Sequence, residues 1–459
     1  MRIGALALAL LAASPAAGQS GKAADTAAHA KQILMKSIGY RTVKGQGQVP
    51  SYAAYLASVL KEAGFAESDV TITPVGETAT LMARYRGSNP SLKPIVLLGH
   101  MDVVEAKAAD WERDPFTAVE ENGYIFGRGS EDNKFDVSMM VATLARLKAE
   151  GYKPKRDVVL ALSGSEETDW VSTRQLADAL KGAELVLNGD GGGGLLSEQG
   201  EPIYYGLQAG EKTYADFVIE VTDPGGHSSA PTGSNAIYRL VKALDRVGEY
   251  KFAPMSNELT VASLRNAGRQ VGGELGAAME RYAANPADAA AAEMISAKPE
   301  YIGQIRTTCV ATMVNAGHAP NALPQRATAN VNCRIFPGVT VETVQQELTR
   351  VIADPTAKIT LSDADNPFAP ASPLRPDVMK AVTKAVKARY PKLDVTPAMS
   401  AGATDSLIFR AAGMPSYGVS GLFQRADDSF AHGLNERVPI SQIAPALAHW
   451  RTLVTELSK

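Results

Sequence analysis

The segment DVVLALSGSEET, residues 157–168, indicates the fold, because an unbroken apolar run ends there in small and acidic residues. Such a run predicts a strand buried on both faces of a sheet, since a strand with one wet face would alternate polar and apolar residues. The arrangement recurs in PIVLLGHMDVV (94–104) and ELVLNGDGGGG (184–194), with helical spacing between the runs. This alternation predicts an α/β fold whose central sheet is mostly of the parallel type and is flanked by helices.

The chain length of 459 residues exceeds one ordinary hydrophobic core and predicts two domains. From about Glu211 the strands alternate polar and apolar residues and join helices in a βαββαβ pattern, which is typical of a small α+β layer. A Pro-rich segment, NPFAPASPLRP, precedes the return of α/β character. We therefore predict a first domain of residues 19–210 and 367–459, interrupted by an inserted domain of residues 211–366.

The amino-terminal segment, MRIGALALALLAASPAAGQS, predicts a secretory signal peptide over residues 1–18. Arg2 precedes an apolar stretch, and Ala16 and Gly18 have the small side chains of a cleavage site. A permanent membrane anchor is the alternative, but the stretch is short for a bilayer span. We expect a secreted protein, located in the bacterial periplasm, without stable membrane insertion.

The net charge of -3 and the 45% hydrophobic content are those of an ordinary globular chain. Because no basic run or aromatic–basic pattern is present, we expect no nucleic-acid partner. The two cysteines, Cys309 and Cys333, lie in alternating segments that a turn-rich stretch joins. An oxidising compartment favours a disulfide between them, and two buried free thiols are the alternative.

Acidic residues and histidines stand at the ends of apolar runs or in Gly-rich turns of the first domain. The five are His100, Asp132, Glu167, Asp190 and His432. Taken singly, each has an ordinary explanation, such as a helix N-cap, a turn residue or a surface histidine. Taken together, they should converge, because sites in open α/β sheets gather beyond the carboxyl ends of the strands. Carboxylates gathered in a crevice repel each other unless cations neutralise them, so we predict two divalent metal ions.

Histidine and carboxylate ligands without thiolates suit Zn²⁺, with Co²⁺ or Mn²⁺ as alternatives. The adjacent acids Glu166 and Glu167 point different ways on an extended segment and can therefore divide two tasks. We expect Glu167 to coordinate a metal and Glu166 to be the general base for a water that the two metals activate. Asp102, two residues after His100, is predicted to orient that imidazole by accepting its second ring N–H.

The motifs of this chain resemble those of the two-domain di-zinc peptidases that include glutamate carboxypeptidase, acetylornithine deacetylase, succinyl-diaminopimelate desuccinylase, aminoacylase and carnosine dipeptidase. They are GHMDVV, GRGSEDNK, SGSEET, NGDGGG, GGHSSAP, PNALP followed by CRIFPG, SAGATDS and AHGLNE, and they span nearly the whole chain after the signal peptide. The resemblance implies that Asp132 bridges both metals. It also implies that His100 and Asp190 complete one ion, whereas Glu167 and His432 complete the other.

The same resemblance implies that the inserted domain is a lid and a dimerisation domain. His227 would reach the active site of the other subunit and help to stabilise the tetrahedral oxyanion. Arg334 would grip a substrate carboxylate, with Asn321 assisting at that carboxylate or at the oxyanion. Gly402 would offer its backbone to the substrate.

The expected activity is metal-dependent hydrolysis of an amide or peptide bond in small substrates with a free carboxylate: dipeptides, the C-terminal residue of short peptides, or N-acyl amino acids. The enzyme would be a homodimeric metallo-exopeptidase or amidohydrolase of the carboxypeptidase, dipeptidase or aminoacylase type. Two alternatives are a di-zinc aminopeptidase of the group without a lid and a non-catalytic periplasmic solute-binding protein. The lid motifs argue against the first, and five metal ligands beside a base argue against the second.

The resemblance further implies a cis peptide bond between Asp132 and Asn133. Two features depart from the family pattern. Phe135 and Asp136 follow the GRGSEDNK motif where a small residue and Gly are common, and residues 250–302 lengthen the inserted domain. The longer insertion leaves open whether the lid histidine acts across the dimer.

Overall fold

The computed structural model describes residues 15–362 and 367–459. Most of the predicted signal peptide, residues 1–14 of 1–18, therefore lies outside the described residues, and so does the predicted domain boundary at residue 366. Among the helices described, none combines the length and the hydrophobicity that crossing a bilayer requires.

The first segment of the chain alternates strands and helices, in agreement with its apolar runs. Its helices are α1 (Pro15–Ile38), α2 (Val49–Glu62), α3 (Lys134–Ala149) and α4 (Val171–Ala179). Its strands are β1 (Val70–Val75), β2 (Thr78–Tyr85), β3 (Ile95–His100), β4 (Val119–Glu121), β5 (Tyr124–Phe126), β6 (Val158–Ser163), β7 (Leu185–Asn188), β8 (Gly193–Leu196) and β9 (Pro202–Glu211). Every residue of β3 and β6 is buried, which explains their continuous apolar sequences.

The middle segment contains strands that alternate buried and partly exposed residues. These strands are β10 (Thr213–Thr222), β11 (Gly226–His227), β12 (Thr308–Ala316), β13 (Ala322–Leu323), β14 (Arg326–Ile335) and β15 (Lys358–Leu361). The helices are α5 (Ala236–Glu249), α6 (Glu258–Val271), α7 (Gly273–Ala284), α8 (Ala289–Ser296), α9 (Pro299–Ile305) and α10 (Val341–Ile352). Alternate burial in β10 and β14 shows that one face of each strand meets a core.

The last segment returns to the first domain. Its helices are α11 (Pro376–Arg389), α12 (Ser406–Ala411) and α13 (Ile443–Leu457). Its strands are β16 (Val395–Ser400), β17 (Ser416–Gly418), β18 (Phe423–Arg425) and β19 (Arg437–Pro439). The short strand β19 pairs antiparallel with β5, and this pairing brings the loop that precedes β19 beside the loop that follows β5.

The first and last segments build one central sheet. Its order is β1-β2-β6-β3-β7-β17-β9-β8-β18, with β16 also paired to β9. The centre is parallel, since β3 runs with β6 and β7, and β17 runs with β7. Leu97 packs in the larger core with α1, α2, α3, α11 and α13, whereas Val96 packs in a second core with α4 and α12. The predicted α/β class is therefore confirmed, and β3, β6 and β7 direct their carboxyl ends to one edge.

The inserted segment folds around a separate antiparallel sheet with the order β12-β14-β10-β15. Helices α5 and α10 cover one face, where Phe217 and Val331 pack with Leu240 and Leu348. A disulfide joins Cys309 of β12 to Cys333 of β14, which are direct register partners. Of the two alternatives for these cysteines, a disulfide or two free thiols, the structure contains the disulfide.

The long insertion, residues 250–302 in the sequence, forms α6 to α8 and the start of α9. These helices enclose a small core of their own that includes Met279, Tyr282 and Ile295. Helix α6 also packs against the central sheet, since Leu259 belongs to the larger core. The insertion therefore packs against the first domain near β16 and also extends the inserted domain.

Candidate active site

His100 ends β3 and is almost completely buried, with 1% of its surface exposed. Its Nδ1 lies 3.0 Å from the main-chain carbonyl oxygen of Asp102. The carboxylate of Asp102 is farther from Nδ1, at 3.7 Å. The ring N–H of His100 is therefore directed at the main-chain carbonyl of Asp102. The sequence analysis expected it to be directed at the carboxylate of Asp102.

The carboxylate of Asp102 instead holds the turn after β6. Its Oδ1 accepts the main-chain N–H of Glu166 at 3.1 Å, and its Oδ2 accepts that of Glu167 at 3.0 Å. Charge-assisted bonds of this kind are stronger than neutral ones. Asp102 thus fixes the backbone from which both adjacent acids project.

Asp132 lies between two imidazoles. Its Oδ1 is 2.9 Å from Nε2 of His100, and its Oδ2 is 3.2 Å from Nε2 of His432. The peptide bond from Asp132 to Asn133 is cis, as the family resemblance implied. Two oxygens that face two different imidazoles are the arrangement that a bridging carboxylate requires.

Two further acids complete the cluster, one on each side of Asp132. Oε1 of Glu167 is 2.9 Å from Nε2 of His432, and Oδ2 of Asp190 is 3.8 Å from Nε2 of His100. Ligand atoms of His100, Asp132 and Glu167 all lie within 4.8 Å of one another, and so do those of His100, Glu166 and Asp190. The structure therefore brings together every residue that the sequence analysis proposed as a metal ligand.

The electrostatics of the cluster show how strongly it attracts positive charge. Burial raises the pKa of Asp190 well above its usual range, and the neighbouring charge of Asp132 raises it further. Burial likewise raises the pKa of Glu166, although His100 opposes the shift. Hydrogen bonds to Asp132 and Glu167 raise the pKa of His432 to about 10.

For Asp132 and His100, neighbouring groups outweigh the effect of burial on the pKa. Burial alone would raise the pKa of Asp132, but hydrogen bonds from His100 and His432 outweigh it and lower that pKa. Burial of His100 disfavours its charged form, yet the acids around it, Asp102 and Asp132 first, raise its pKa. Without cations, protons would have to screen these carboxylates from one another.

The donor set fits two divalent cations. It consists of imidazole nitrogens and carboxylate oxygens, and the two cysteines are engaged in a disulfide elsewhere. A cation bonded to two donors at about 2.0–2.2 Å holds them roughly 3–4 Å apart. The nitrogen–oxygen separations of 2.9 to 3.8 Å around Asp132 and its neighbours match that spacing.

Among the contacts of the described residues, none joins His227 or Asn321 of the inserted domain to this cluster. His227 is exposed on β11, where its Nδ1 bonds the hydroxyl of Ser229 at 2.8 Å. Asn321 stands beside it, since its carbonyl accepts the N–H of Ser228 at 3.0 Å. Arg334 does reach the first domain.

Arg334 extends from β14 to the loop that contains Gly402. Its Nη1 donates to the carbonyl of Ala401 at 3.3 Å, and its guanidinium lies 4.7 Å from the ring centroid of Tyr214. The N–H of Gly402 is bonded to the hydroxyl of Ser400 at 3.0 Å. The structure thus places the guanidinium of Arg334 beside the loop that contains Gly402.

The model of the peptidase family M20/M25/M40 matches residues 96–456. This chain belongs to that family. The M20 chain is 30% identical over 368 residues to an N-fatty-acyl-amino acid synthase/hydrolase, PM20D1, of Mus musculus, with 77% of this chain and 72% of the relative covered. The family resemblance and the prediction of a hydrolytic enzyme are therefore confirmed.

Solved structures show the same fold. An M20 metallo-carboxypeptidase of Sulfolobus solfataricus superimposes with a TM-score of 0.70 at 18% identity, covering 94% of this chain and 99% of that one. A dinuclear metal binding M20 peptidase of Bacillus subtilis, YXEP, gives a TM-score of 0.60 at 13% identity, covering 95% and 99%.

Several residues of this M20 site escaped the sequence analysis. Arg128 and Glu436 form a buried pair beside Asp132, and buried Asp405 accepts hydrogen bonds from the hydroxyls of Ser163 and Thr173. The signal was available, because Arg128, Asp405 and Glu436 stand inside the motifs GRGSEDNK, SAGATDS and AHGLNE. The motifs show where these charged residues stand, but not that the fold buries and pairs them.

A cavity of about 430 Å³ adjoins the cluster in the M20 catalytic domain. Asp132 and Asp190 stand on its wall, together with Tyr204 and Leu422. Its floor is the glycine run that follows Asp190, which presents backbone instead of side chains. The cavity therefore offers space for a substrate beside the candidate ligands.

Proposed function

We propose that this M20 protein is a secreted metallo-exopeptidase or N-acyl-amino-acid amidohydrolase that cleaves small substrates ending in a free carboxylate. The observation that carries the proposal is Asp132, whose two oxygens face the separate imidazoles of His100 and His432. In this assignment His100 and Asp190 complete one cation site, and Glu167 and His432 complete the other. Zn²⁺ suits this donor set, and Co²⁺ or Mn²⁺ could replace it.

Glu166 is assigned as the general base. When bound, two cations supply Lewis acidity that lowers the pKa of a water molecule and polarises a carbonyl group. Glu166 accepts the proton of the attacking water and passes it to the leaving nitrogen. Burial raises the pKa of Glu166, which makes its carboxylate a stronger proton acceptor. Asp102 supports this role because it holds the main chain of Glu166.

Arg334 is assigned to the substrate carboxylate. Among the salt bridges of the described residues, none engages Arg334, and its guanidinium lies beside the loop of Gly402. A guanidinium matches a carboxylate in a two-bond geometry. Asn321 would assist, and Gly402 would offer its backbone on the other side of the substrate.

The lid would complete the site in a homodimer. Val310, Met313 and Val314 on the outer strand β12 are 60%, 61% and 58% exposed, and Tyr238 on the neighbouring α5 is 69% exposed. An unpaired strand edge beside large apolar side chains favours association with a second copy. Such a dimer would bring His227 of one chain to the cluster of its partner, where it would stabilise the oxyanion.

The test is a hydrolysis screen of matched substrates. Each set keeps one C-terminal residue and offers it as a dipeptide, as an N-acyl amino acid and as an amide of the dipeptide. Zn²⁺, Co²⁺ or Mn²⁺ is added, and a chelated sample is the control. We expect cleavage of the first two forms only, with metal present. Similarity to the mouse N-fatty-acyl-amino acid synthase/hydrolase supports the N-acyl form, and similarity to the Sulfolobus metallo-carboxypeptidase supports the peptide form.

Three outcomes would contradict the proposal. Full activity after exhaustive chelation would remove the two-metal mechanism. Cleavage of peptides with a blocked C-terminus and a free N-terminus, in preference to free carboxylates, would assign the protein to the aminopeptidases. A protein that binds such compounds and turns none over would be a solute-binding protein.

A further inference from the structure

A buried ion pair joins the two loops that carry Asp132 and His432. Nη1 of Arg128 lies 2.5 Å from Oε2 of Glu436, and the two side chains are 3% and 0% exposed. The partners are 308 residues apart in the chain. Pairing of β5 with β19 brings them together, since Arg128 follows β5 and Glu436 precedes β19. The ion pair therefore spans the junction between the first and last segments.

Glu436 shapes the turn of Asp132. Its Oε1 accepts the main-chain N–H of Glu131 at 2.8 Å and that of Asp132 at 3.1 Å. Its Oε2 accepts the N–H of Gly129 at 3.0 Å. One buried carboxylate therefore satisfies three donors of a tight turn and fixes the backbone of the residue that faces both imidazoles.

Arg128 shapes the loop of His432. Its Nη2 donates to the carbonyls of His432 and Gly433, at 3.3 and 3.2 Å. His432 and Asn435 have positive φ angles of 63° and 55°, which residues other than Gly adopt rarely. Arg128 supplies two hydrogen bonds to this loop from outside it.

The burial of this pair calls for a reason other than stability. Removing two charges from water offsets most of their attraction, so a buried ion pair is weak evidence for net stabilisation. Here the same two side chains bond the main chains of Asp132 and His432. Outer bonds of this kind orient metal ligands and affect metal affinity.

We propose that Arg128 and Glu436 are positioning residues that set the separation of Asp132 from His432 and thereby the affinity of the cation between them. The inference rests on the two-cation function proposed above. It assigns unequal effects to the pair: Arg128 acts on the site completed by His432, whereas Glu436 acts on both sites, because Asp132 belongs to both.

The loop has a second tether that should keep an Arg128 variant folded. The carboxylate of Glu131 accepts the N–H of Phe430 at 2.7 Å and the side-chain amide of Gln424 at 2.5 Å. These bonds hold the same segment without contacting the carbonyl of His432. An Arg128→Met variant should therefore lose alignment of His432 rather than the whole loop.

The experiment titrates chelator-stripped full-length protein with Zn²⁺ in competition with a chromophoric chelator, so the readout is affinity and not activity. We expect wild type to bind two ions. Arg128→Met should weaken one step by about 10- to 100-fold and leave the other nearly unchanged. Glu436→Gln should weaken both steps. Arg128→Lys keeps the charge but has one donor group, and should fall between wild type and Arg128→Met.

Arg306→Met is the matched control, because Arg306 is also buried but bonds Ser296, Glu293 and the carbonyl of Phe252, away from the cluster. It should leave both affinities unchanged. If Arg128→Met is folded by circular dichroism and binds both ions with wild-type affinity, this inference is wrong and the proposed function is unaffected. If Arg128→Met does not fold, two wild-type affinities in Arg128→Lys would overturn the inference. Fewer than two sites in wild type would overturn the proposed function as well.

Discussion

The strand-end cluster of the first domain and the outer face of the inserted domain differ in how their candidate functional residues are held. At the cluster, His100 is 1% exposed and bonded on both ring nitrogens, and Asp102 fixes two neighbouring main chains. On the lid, His227 is exposed and bonded to Ser229 next to it.

This difference teaches which part of the site one chain can complete. A cluster of buried acids needs ligands fixed before the cations arrive, since misplaced charges in a low dielectric are costly. Under the proposed function, His227 of the inserted domain would meet its target across a subunit boundary and could stay exposed until the dimer forms. We therefore expect chemistry to fail when the cluster is altered and assembly to fail when the lid face is altered.

The largest effect should come from Glu166→Gln. Loss of the general base should lower kcat by about 10²- to 10⁴-fold, while metal binding persists because Glu166 is not assigned as a ligand. Steady-state kinetics and metal content on the same sample check both parts. Glu198→Gln, an exposed acid on the β8–β9 connection, is the control and should change neither. Retention of wild-type turnover in Glu166→Gln would remove it from the reaction.

A charge on the lid face should have the next largest effect. Val314→Lys on β12 should convert dimer to monomer in sedimentation velocity and lower kcat by about 10²- to 10³-fold, the cost of one lost oxyanion donor. Val271→Lys alters an exposed valine at the end of α6 and should do neither. A fully active monomer would show that the lid histidine works within one chain or not at all.

Mixing two inactive variants tests the same difference more sharply. His227→Ala has an intact cluster, and Glu166→Gln has an intact lid. After subunit exchange, a mixed dimer would have one complete site if His227 acts across the interface. We expect the mixture to recover part of the wild-type activity. No recovery, with exchange demonstrated by mass spectrometry, would contradict action across the dimer.

Arg334→Met should have a smaller, substrate-dependent effect. Loss of a charged hydrogen-bonding pair costs about 1.5–3 kcal/mol, so kcat/KM for free-carboxylate substrates should fall roughly 10- to 100-fold. Arg326→Met on the same strand removes an exposed arginine paired with Glu220 and is the control. An equal fall for C-terminal amides would mean that Arg334 does not read the carboxylate.

Removing the disulfide should affect stability and leave turnover unchanged. Cys309 and Cys333 are 24 residues apart, and a loop of this size contributes about 3–4 kcal/mol to the free energy of unfolding. Urea unfolding of the Cys309→Ala/Cys333→Ala variant should show that loss in the unfolding of the inserted domain. A reducing agent should destabilise wild type only. Equal free energies of unfolding for wild type and variant would show that the disulfide does not stabilise the protein.

The fold was predictable because its strands are read from local sequence. Unbroken apolar runs correspond to β3 and β6, which are buried throughout, and alternating runs correspond to β10 and β14. The parallel centre also followed, since parallel neighbours need a crossover connection, which the helices between the strands supply. The packing of α6 against the central sheet was not predictable, because it depends on contacts remote in sequence.

The sequence by itself determined the chemistry: which strand ends carry imidazole or carboxylate, and that two acids stand side by side after β6. Only the tertiary structure decided which of these side chains contact one another. It turned the carboxylate of Asp102 to the main chain of Glu166 and Glu167, and it placed Asp132 between two imidazoles. The reason is that strand order and the β5–β19 pairing set which distant loops meet, whereas sequence periodicity reports only which face of its own element a residue occupies.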